Sequence, residues 1–214
     1  MEAEFWKQRW NKNEIGWHEG RTNAMLAKHW PALQLATGSR VFVPLCGKTL
    51  DMAWLAAQGY RVMGVELSEI AVRDFFGESG LVPACGSRDG FEVSSAGGIE
   101  IWCGDLFKLE PRHLADVAGV YDRASLVAMP PSMQPAYAAK LAEILPPGVP
   151  MLLVTFTLDE AQPVGPPFST PPARVRTLFE KDFVIAALEV TRATMVKVTV
   201  APFARVPMFH TPAT

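Results

Sequence analysis

Glu66 ends an apolar run, 19 residues after the lone glycine of the turn Leu45-Cys46-Gly47-Lys48. In sheets that bind nucleosides, a carboxylate at about this distance past a glycine turn accepts hydrogen bonds from the ribose hydroxyls. It would repel a 2′-phosphate, which disfavours NADP. The pattern GxGxxG is missing around Gly47. One glycine followed by a helix N-terminus suits a carboxylate-bearing ligand better than a pyrophosphate. The alternatives are a plain strand-to-helix turn at Gly47 and a solvated helix cap at Glu66. Two further corners carry polar groups. Cys103-Gly104-Asp105-Leu106 could border a purine, with an acidic side chain or the backbone reaching its exocyclic amine. In Tyr121-Asp122-Arg123-Ala124-Ser125-Leu126, Asp122 and Arg123 either stand beside the reactive part of the ligand or form a structural salt bridge.

These corners need a scaffold that brings strand ends together. Val41 to Leu45 reads as a strand covered on both faces. Thr49 can cap a helix through Ala57, with Asp51 near the positive end of its dipole. Gly59 sits where that helix would stop. Arg61 to Leu67 reads as a second strand, and Ser68 caps a helix to about Phe76. Phe91 to Gly104 reads as a hairpin turning at Ala96-Gly97-Gly98 and leading into a third main strand. Val117 to Arg123 is a fourth strand, Pro131 to Leu145 a helix, and Met151 to Thr157 a fifth strand. Residues 162–172 hold five prolines and read as irregular; Arg174 to Phe179 reads as a short helix. From Phe183 onward, Val, Thr and Phe suggest one or two antiparallel closing strands. Strands alternating with helices predict an α/β fold, a doubly wound and mostly parallel sheet with helices on both faces. Ligands of such sheets lie beyond the carboxyl ends of the strands, where the four corners fall.

Ahead of this core, four of the six tryptophans occupy the first 30 residues. Trp6 and Trp10 are four apart and would share a helix face. A turn at 11–16 and a second helix follow, the latter from Asn23 as N-cap to Trp30 and closed by Pro31. The plain reading is a helix packing its aromatics on the core.

Composition narrows the function. With 49% apolar and 20% charged residues, wholesale disorder is excluded. A net charge of −2 and a pI near 6.1 argue against a basic surface for nucleic acid or anionic lipid. No apolar run approaches the roughly 20 residues of a membrane span, and the charged start, Met-Glu-Ala-Glu, shows no secretory signal. Cys46, Cys85 and Cys103 are odd in number and lack CxxC spacing. That excludes a standard zinc pattern and suggests a reducing compartment.

Together these residues resemble the thiopurine S-methyltransferase family. The shared pieces are Phe5-Trp6, Trp10, Gly16-Trp17-His18, Pro44-Leu45-Cys46-Gly47-Lys48, Asp51-Met52 and Leu55. Gly64-Val65-Glu66-Leu67-Ser68 and the run from Tyr121 to Ala128 complete the set, which spans nearly the whole chain. The resemblance implies a Rossmann-like methyltransferase sheet in a single domain, residues 1–35 forming an N-terminal helical lid on an α/β core of residues 40–214. It implies S-adenosylmethionine as cofactor, S-adenosylhomocysteine as product, and no metal. The methyl group would pass to the sulfur of aromatic or heterocyclic thiols such as thiopurines, with reduced selenium compounds as further acceptors.

The cofactor contacts implied are Trp10, Leu45, Glu66 and Arg123, with Gly104, Asp105 and Leu106 beside the adenine. Arg123 and Asp122 would be the polar helpers of catalysis, Arg123 favouring a bound thiolate by its charge. Trp17 and His18 would face substrate, His18 as a lid residue rather than a base. Family members can carry Phe at the position of Trp17, and the larger indole would narrow the substrate mouth. A small-molecule thiol would be the partner, with no nucleic acid or membrane involved, in a cytoplasmic monomer. Two rivals are set beside this. An NAD-linked oxidoreductase would need the missing glycines. A non-catalytic nucleoside-binding module would keep Glu66 but need no enclosed acceptor pocket.

Overall fold

The computed structural model describes residues 3–158, 165–190 and 195–200. Among the described residues, nine strands form one sheet in the order β3-β4-β5-β2-β1-β6-β7-β9-β8. The central strands are β1 (Arg40–Val43), β2 (Arg61–Glu66), β5 (Ile99–Cys103), β6 (Val117–Arg123) and β7 (Met151–Leu158). Neighbours among these five run parallel. β3 (Ala84–Arg88) and β4 (Phe91–Ala96) add an antiparallel hairpin at one edge. β8 (Ala187–Val190) and β9 (Met195–Val200) close the other edge, also antiparallel.

The pleat sorts side chains between two cores, because successive strand residues point to opposite faces. Phe42, Met63, Trp102, Val120 and Leu153 enter one core. There they meet Tyr137 and Leu141 of α5 (Gln134–Ile144) and Val175 and Phe179 of α6 (Pro172–Phe179). Val41, Val43, Val62, Ile101, Tyr121 and Leu152 enter the other. They meet Leu26 of α2 (Ala24–His29), Met52 and Leu55 of α3 (Leu50–Ala57), and Phe75 and Phe76 of α4 (Glu69–Glu78). Helices therefore cover both faces, as expected.

Local signals act as the sequence suggests. The Thr49 side chain accepts from the Asp51 N–H, and Ser68 caps α4 through the Ala71 N–H. The Asn23 side chain accepts from the Met25 N–H. The α-helix ends at His29 with Trp30 as its C-cap, as expected ahead of Pro31, and a 3-10 turn, Trp30–Leu33, follows in which the fixed φ of Pro31 suits the first turn. The Asp51 carboxylate joins three elements: Oδ1 accepts from the Asn23 backbone N–H at 2.7 Å and Oδ2 from the Tyr121 hydroxyl at 2.8 Å. β3 was not foreseen in the sequence. Of the proline-rich stretch, residues 162–164 lie outside the described residues, residues 165–171 are irregular, and Pro172 opens α6. Any closing strand after residue 200 also lies outside them.

Candidate active site

Strand β1 is flanked by β2 on one side and β6 on the other, so the strand order reverses there. A crevice must open above such a switch point. A cavity of about 540 Å³ lies over these strand ends, within the usual size range for a small-molecule site. Its floor follows the sheet order. Asp105 and Leu106 come after β5, Glu66 and Leu67 from the end of β2, and Leu45 and Gly47 after β1. Arg123, Val127 and Met129 come from the end of β6 and beyond, and Phe156 from β7. One end is thus carboxylate-rich and the other apolar.

Glu66 is buried, with 6% of its surface exposed. Its Oε2 accepts from the Gly47 N–H and its Oε1 from the Ser68 N–H, each at 2.8 Å. Burial pushes its carboxyl up, against the opposing pull of the Ser68, Gly47 and Leu67 backbone donors. Each oxygen keeps a lone pair for a further donor. The β1 turn is drawn tight against β2 by the Cys46 N–H, which donates to the Val65 carbonyl at 3.0 Å. Gly47 has φ +53, and a Cβ there would stand 3.3 Å from the Trp10 ring. Glycine thus lets backbone, ring and ligand converge. Leu45 and Ala124, which follow β1 and β6, also hold positive φ, +44 and +69. Two non-glycine residues in that region beside one cavity mark a strained site.

Over the floor lies α1 (Ala3–Asn11), whose Ala3, Trp6, Arg9 and Trp10 line the cavity. Trp17 meets both indoles edge-on, with ring centroids 5.2 Å from Trp6 and 6.0 Å from Trp10. The far wall contains Pro166 and Pro167. Their segment is held by two backbone bonds, Phe168 N–H to the Val127 carbonyl at 2.6 Å and Thr170 N–H to the Phe156 carbonyl at 2.7 Å.

The structure gathers Trp10, Trp17, Leu45, Glu66, Asp105, Leu106 and Arg123 around this one cavity. Gly104, His18 and Asp122 are not among its lining residues. The Gly104 N–H donates to the Glu66 carbonyl at 2.8 Å, and a Cβ there would lie 2.5 Å from the Phe91 ring. Glycine at 104 therefore answers to packing. His18 is half-buried, and desolvation, then the Lys48 cation, hold its imidazole below the usual range. Asp122 and Arg123 do not pair. As consecutive strand residues they point to opposite faces. Arg123 binds Glu19 and the Trp17 carbonyl, whereas Asp122 is fully buried and accepts from the Tyr137 hydroxyl at 2.7 Å. Glu19, Trp6 and the apolar wall were not foreseen. For Trp6 the signal was present: three- and four-residue steps from Ala3 to Trp10 put one α1 face on the cavity.

Burial pushes the Asp122 carboxyl up to about 6, with the Tyr137 hydroxyl pulling against it. Its folded form therefore binds a proton more tightly than the unfolded chain. The resulting stability is present below about pH 4 and is lost as pH rises through about 6. The shift corresponds to roughly 3 kcal/mol. Asp122→Asn keeps an acceptor for Tyr137 and removes the titration. Relative to the parent, the variant should gain stability steadily from pH 4 to 6 and then level off. Urea unfolding at four pH values checks this; a pH-independent gap between the two proteins would refute it.

Among the described residues, no group of three or more His, Cys, Asp or Glu is placed to hold a metal ion, and no helix is long and apolar enough to cross a membrane.

Comparison with known proteins bears on the chemistry. Residues 1–206 match the family described as thiopurine S-methyltransferase. The chain is 55% identical over 179 residues to the thiopurine S-methyltransferase of Pseudomonas entomophila, covering 84% of this chain and 83% of that one. It is 50% identical over 189 residues to that of Azotobacter vinelandii, covering 88% and 87%. Among solved structures, the fold is similar to Burkholderia thailandensis 1,6-didemethyltoxoflavin-N1-methyltransferase with 1,6-didemethyltoxoflavin and S-adenosylhomocysteine bound. There the TM-score is 0.67 at 15% identity, over 95% of this chain and 87% of that one. Magnesium protoporphyrin IX methyltransferase from Synechocystis, with S-adenosylhomocysteine bound, gives a TM-score of 0.65 at 15% identity, over 95% and 100%.

Proposed function

The chain belongs to the thiopurine S-methyltransferase family, and on that premise we propose how its cavity carries out methyl transfer from S-adenosylmethionine to the sulfur of an aromatic or heterocyclic thiol. The observation that supports the reading most is the polarity of the cavity. A buried carboxylate, Glu66, stands at the end of β2, and an apolar chamber of Val127, Met129, Met133, Phe156 and Pro166 lies beyond β6.

The residues present fit the cofactor. Glu66 retains lone pairs for two ribose hydroxyls, Asp105 stands at the adenine corner, and the Arg123 Nε–H is a buried donor with no partner among the described residues. Trp10 and Leu45 would enclose the middle. When bound, S-adenosylmethionine supplies an electrophilic methyl group on a sulfonium. Indole faces attract such a cation, a role open to Trp10 and Trp17. The apolar chamber holds a flat thiol and excludes water, which favours a step in which charge diminishes. Orientation supplies much of the rate. An aromatic heterocyclic thiol can ionise near neutral pH, so no dedicated general base is required. The depressed basicity of His18 and the complete burial of Asp122 against Tyr137 agree with that. Residues 1–35 act as a lid on the core of a single domain. The reading takes the protein as a cytoplasmic monomer acting on a small-molecule thiol, with neither nucleic acid nor membrane as partner; the acidic pI speaks against a polyanionic partner.

Two measurements test this. S-adenosylhomocysteine at 100 times its Kd should stabilise the protein by about 2.7 kcal/mol, and NAD should leave the melting temperature unchanged. A chromophoric aromatic thiol should then be consumed only with S-adenosylmethionine present. Stabilisation by NAD would favour the dehydrogenase reading, and binding without turnover across a panel of aromatic thiols a non-catalytic module.

A further inference from the structure

Arg123 and Glu19 meet in the cavity wall from opposite ends of the site. Arg123 Nη2 donates to Glu19 Oε1 at 2.5 Å, and Nη1 donates to the Trp17 carbonyl at 3.2 Å. The Arg123 side chain is 9% exposed and that of Glu19 34%. The other oxygen of Glu19, Oε2, accepts from Asn23 Nδ2 at 3.3 Å. Asn23 is itself buried, caps α2 and binds Asp51. Glu19 is thus tied to the rigid core on one side and to Arg123 on the other.

A guanidinium is a planar fork whose donors point in fixed directions, so two partners fix its orientation. Here both terminal nitrogens are engaged by the lid, and the Nε–H is left without a partner among the described residues. An Arg beside a carboxylate also carries much less field into its surroundings than a free one. The charge expected of Arg123 from sequence is therefore largely offset.

We infer that Glu19 is a positioning residue for the methyl transfer: its carboxylate orients the Arg123 guanidinium and offsets its charge, so that Arg123 presents a directed N–H donor to the bound ligand. The inference rests on the methyltransferase reading of the cavity. The other charged groups facing the cavity are Arg9 and Glu14 on the lid side, Glu66 at the end of β2 and Asp105 after β5. His18, close enough to feel Lys48, Glu78 and the ion pair, and Asp122, buried against Tyr137, complete the local set. When only Glu19 is changed the others keep their charge, while His18 loses a neighbour that raises it and moves further below its usual range.

Glu19→Gln keeps an acceptor oxygen for Nη2 and removes the negative charge. Glu19→Ala removes both. With the charge of Arg123 unmasked, a bound thiol ionises more readily, by roughly half a pH unit or more. The direct readout is a spectroscopic titration of a nitro-substituted aromatic thiol, whose thiolate is coloured, bound together with S-adenosylhomocysteine. This complex cannot react, so the measurement does not depend on turnover. Both variants should show a lower pKa for the bound thiol. In turnover, Glu19→Ala should lose kcat by about 10-fold or more, since a loosened fork misplaces the ligand. Glu19→Gln should recover most of it, with its rate profile moved to lower pH. Circular dichroism should show both folded.

An unmoved thiol pKa in both variants, or equal kcat losses with unshifted profiles, would overturn the inference and leave Glu19 a mere structural tie. If the parent protein methylates no thiol, the methyltransferase reading fails instead. Calorimetric titration with S-adenosylhomocysteine then still decides whether Glu19 orients Arg123 toward a bound ligand: affinity weakened by Ala and restored by Gln supports that orientation, and equal affinities in all three proteins overturn it.

Discussion

Glu66→Ala should weaken S-adenosylhomocysteine binding by about 30- to 1000-fold, or roughly 2–4 kcal/mol for two hydrogen bonds to a charged acceptor. The structure adds a second consequence. Both carboxylate oxygens already accept backbone N–H groups, from Gly47 and Ser68. The side chain therefore ties the turn after β1 to the turn after β2 besides offering lone pairs to the ribose. A free carboxylate at a helix cap would be mimicked well by Gln. Here one end of the amide must present its own NH₂ to a backbone donor. Glu66→Gln should accordingly lose nearly as much affinity as Glu66→Ala, and it should also lower the melting temperature. Calorimetric titration of the three proteins decides the matter. Parental affinity in Glu66→Ala would sink the ribose assignment. Full affinity in Glu66→Gln would show that the backbone contacts are dispensable.

The same residue shows why parts of the site were legible in advance. An acidic group closing an apolar strand, 19 residues past a glycine turn, fixes its place relative to that turn, because two parallel strands joined by one helix have little freedom. Val117 to Arg123 was likewise readable, since its apolar run is bounded on both sides, and β6 has these limits. β3 was hidden because all five of its residues, Ala84 to Arg88, are exposed, so no face carried an apolar signal. The separation of Asp122 from Arg123 follows from strand period alone and could have been drawn from the sequence. Their neighbourhood in the chain suggested partnership; the pleat forbids it. Glu19 lay beyond reach, since nothing local announces a partner 104 residues away. The apolar wall at Phe156, Pro166 and Pro167 was hidden for a related reason: a proline-rich stretch reads only as irregular, and its anchoring to Val127 and Phe156 is a tertiary fact.

Deletion of residues 1–18 should leave a folded sheet and reduce turnover by more than about 100-fold, the scale associated with a misplaced reacting group. The two halves of that expectation have different grounds. Within α1 only Trp10 is buried, so the core loses one large side chain. Leu26 and Trp30, which pack with the strands, are retained, as are the Asn23–Asp51 bond and the Glu19–Arg123 pair. The cavity, by contrast, loses Trp6, Trp10, Arg9 and Trp17, an entire wall. Water then enters beside the reacting groups and the ligand is held from one side only. Removing Trp17 also withdraws one of the two acceptors that orient Arg123. Circular dichroism and urea unfolding report on the sheet, and consumption of an aromatic thiol on the site. Near-normal turnover in a folded truncated protein would refute the lid. Failure to fold would instead assign the N-terminal aromatics to the stability of the core, and single substitutions, Trp6→Ala and Trp17→Ala, would then carry the test: a folded protein with depressed turnover supports a wall of the active site, and unchanged turnover in both rules it out.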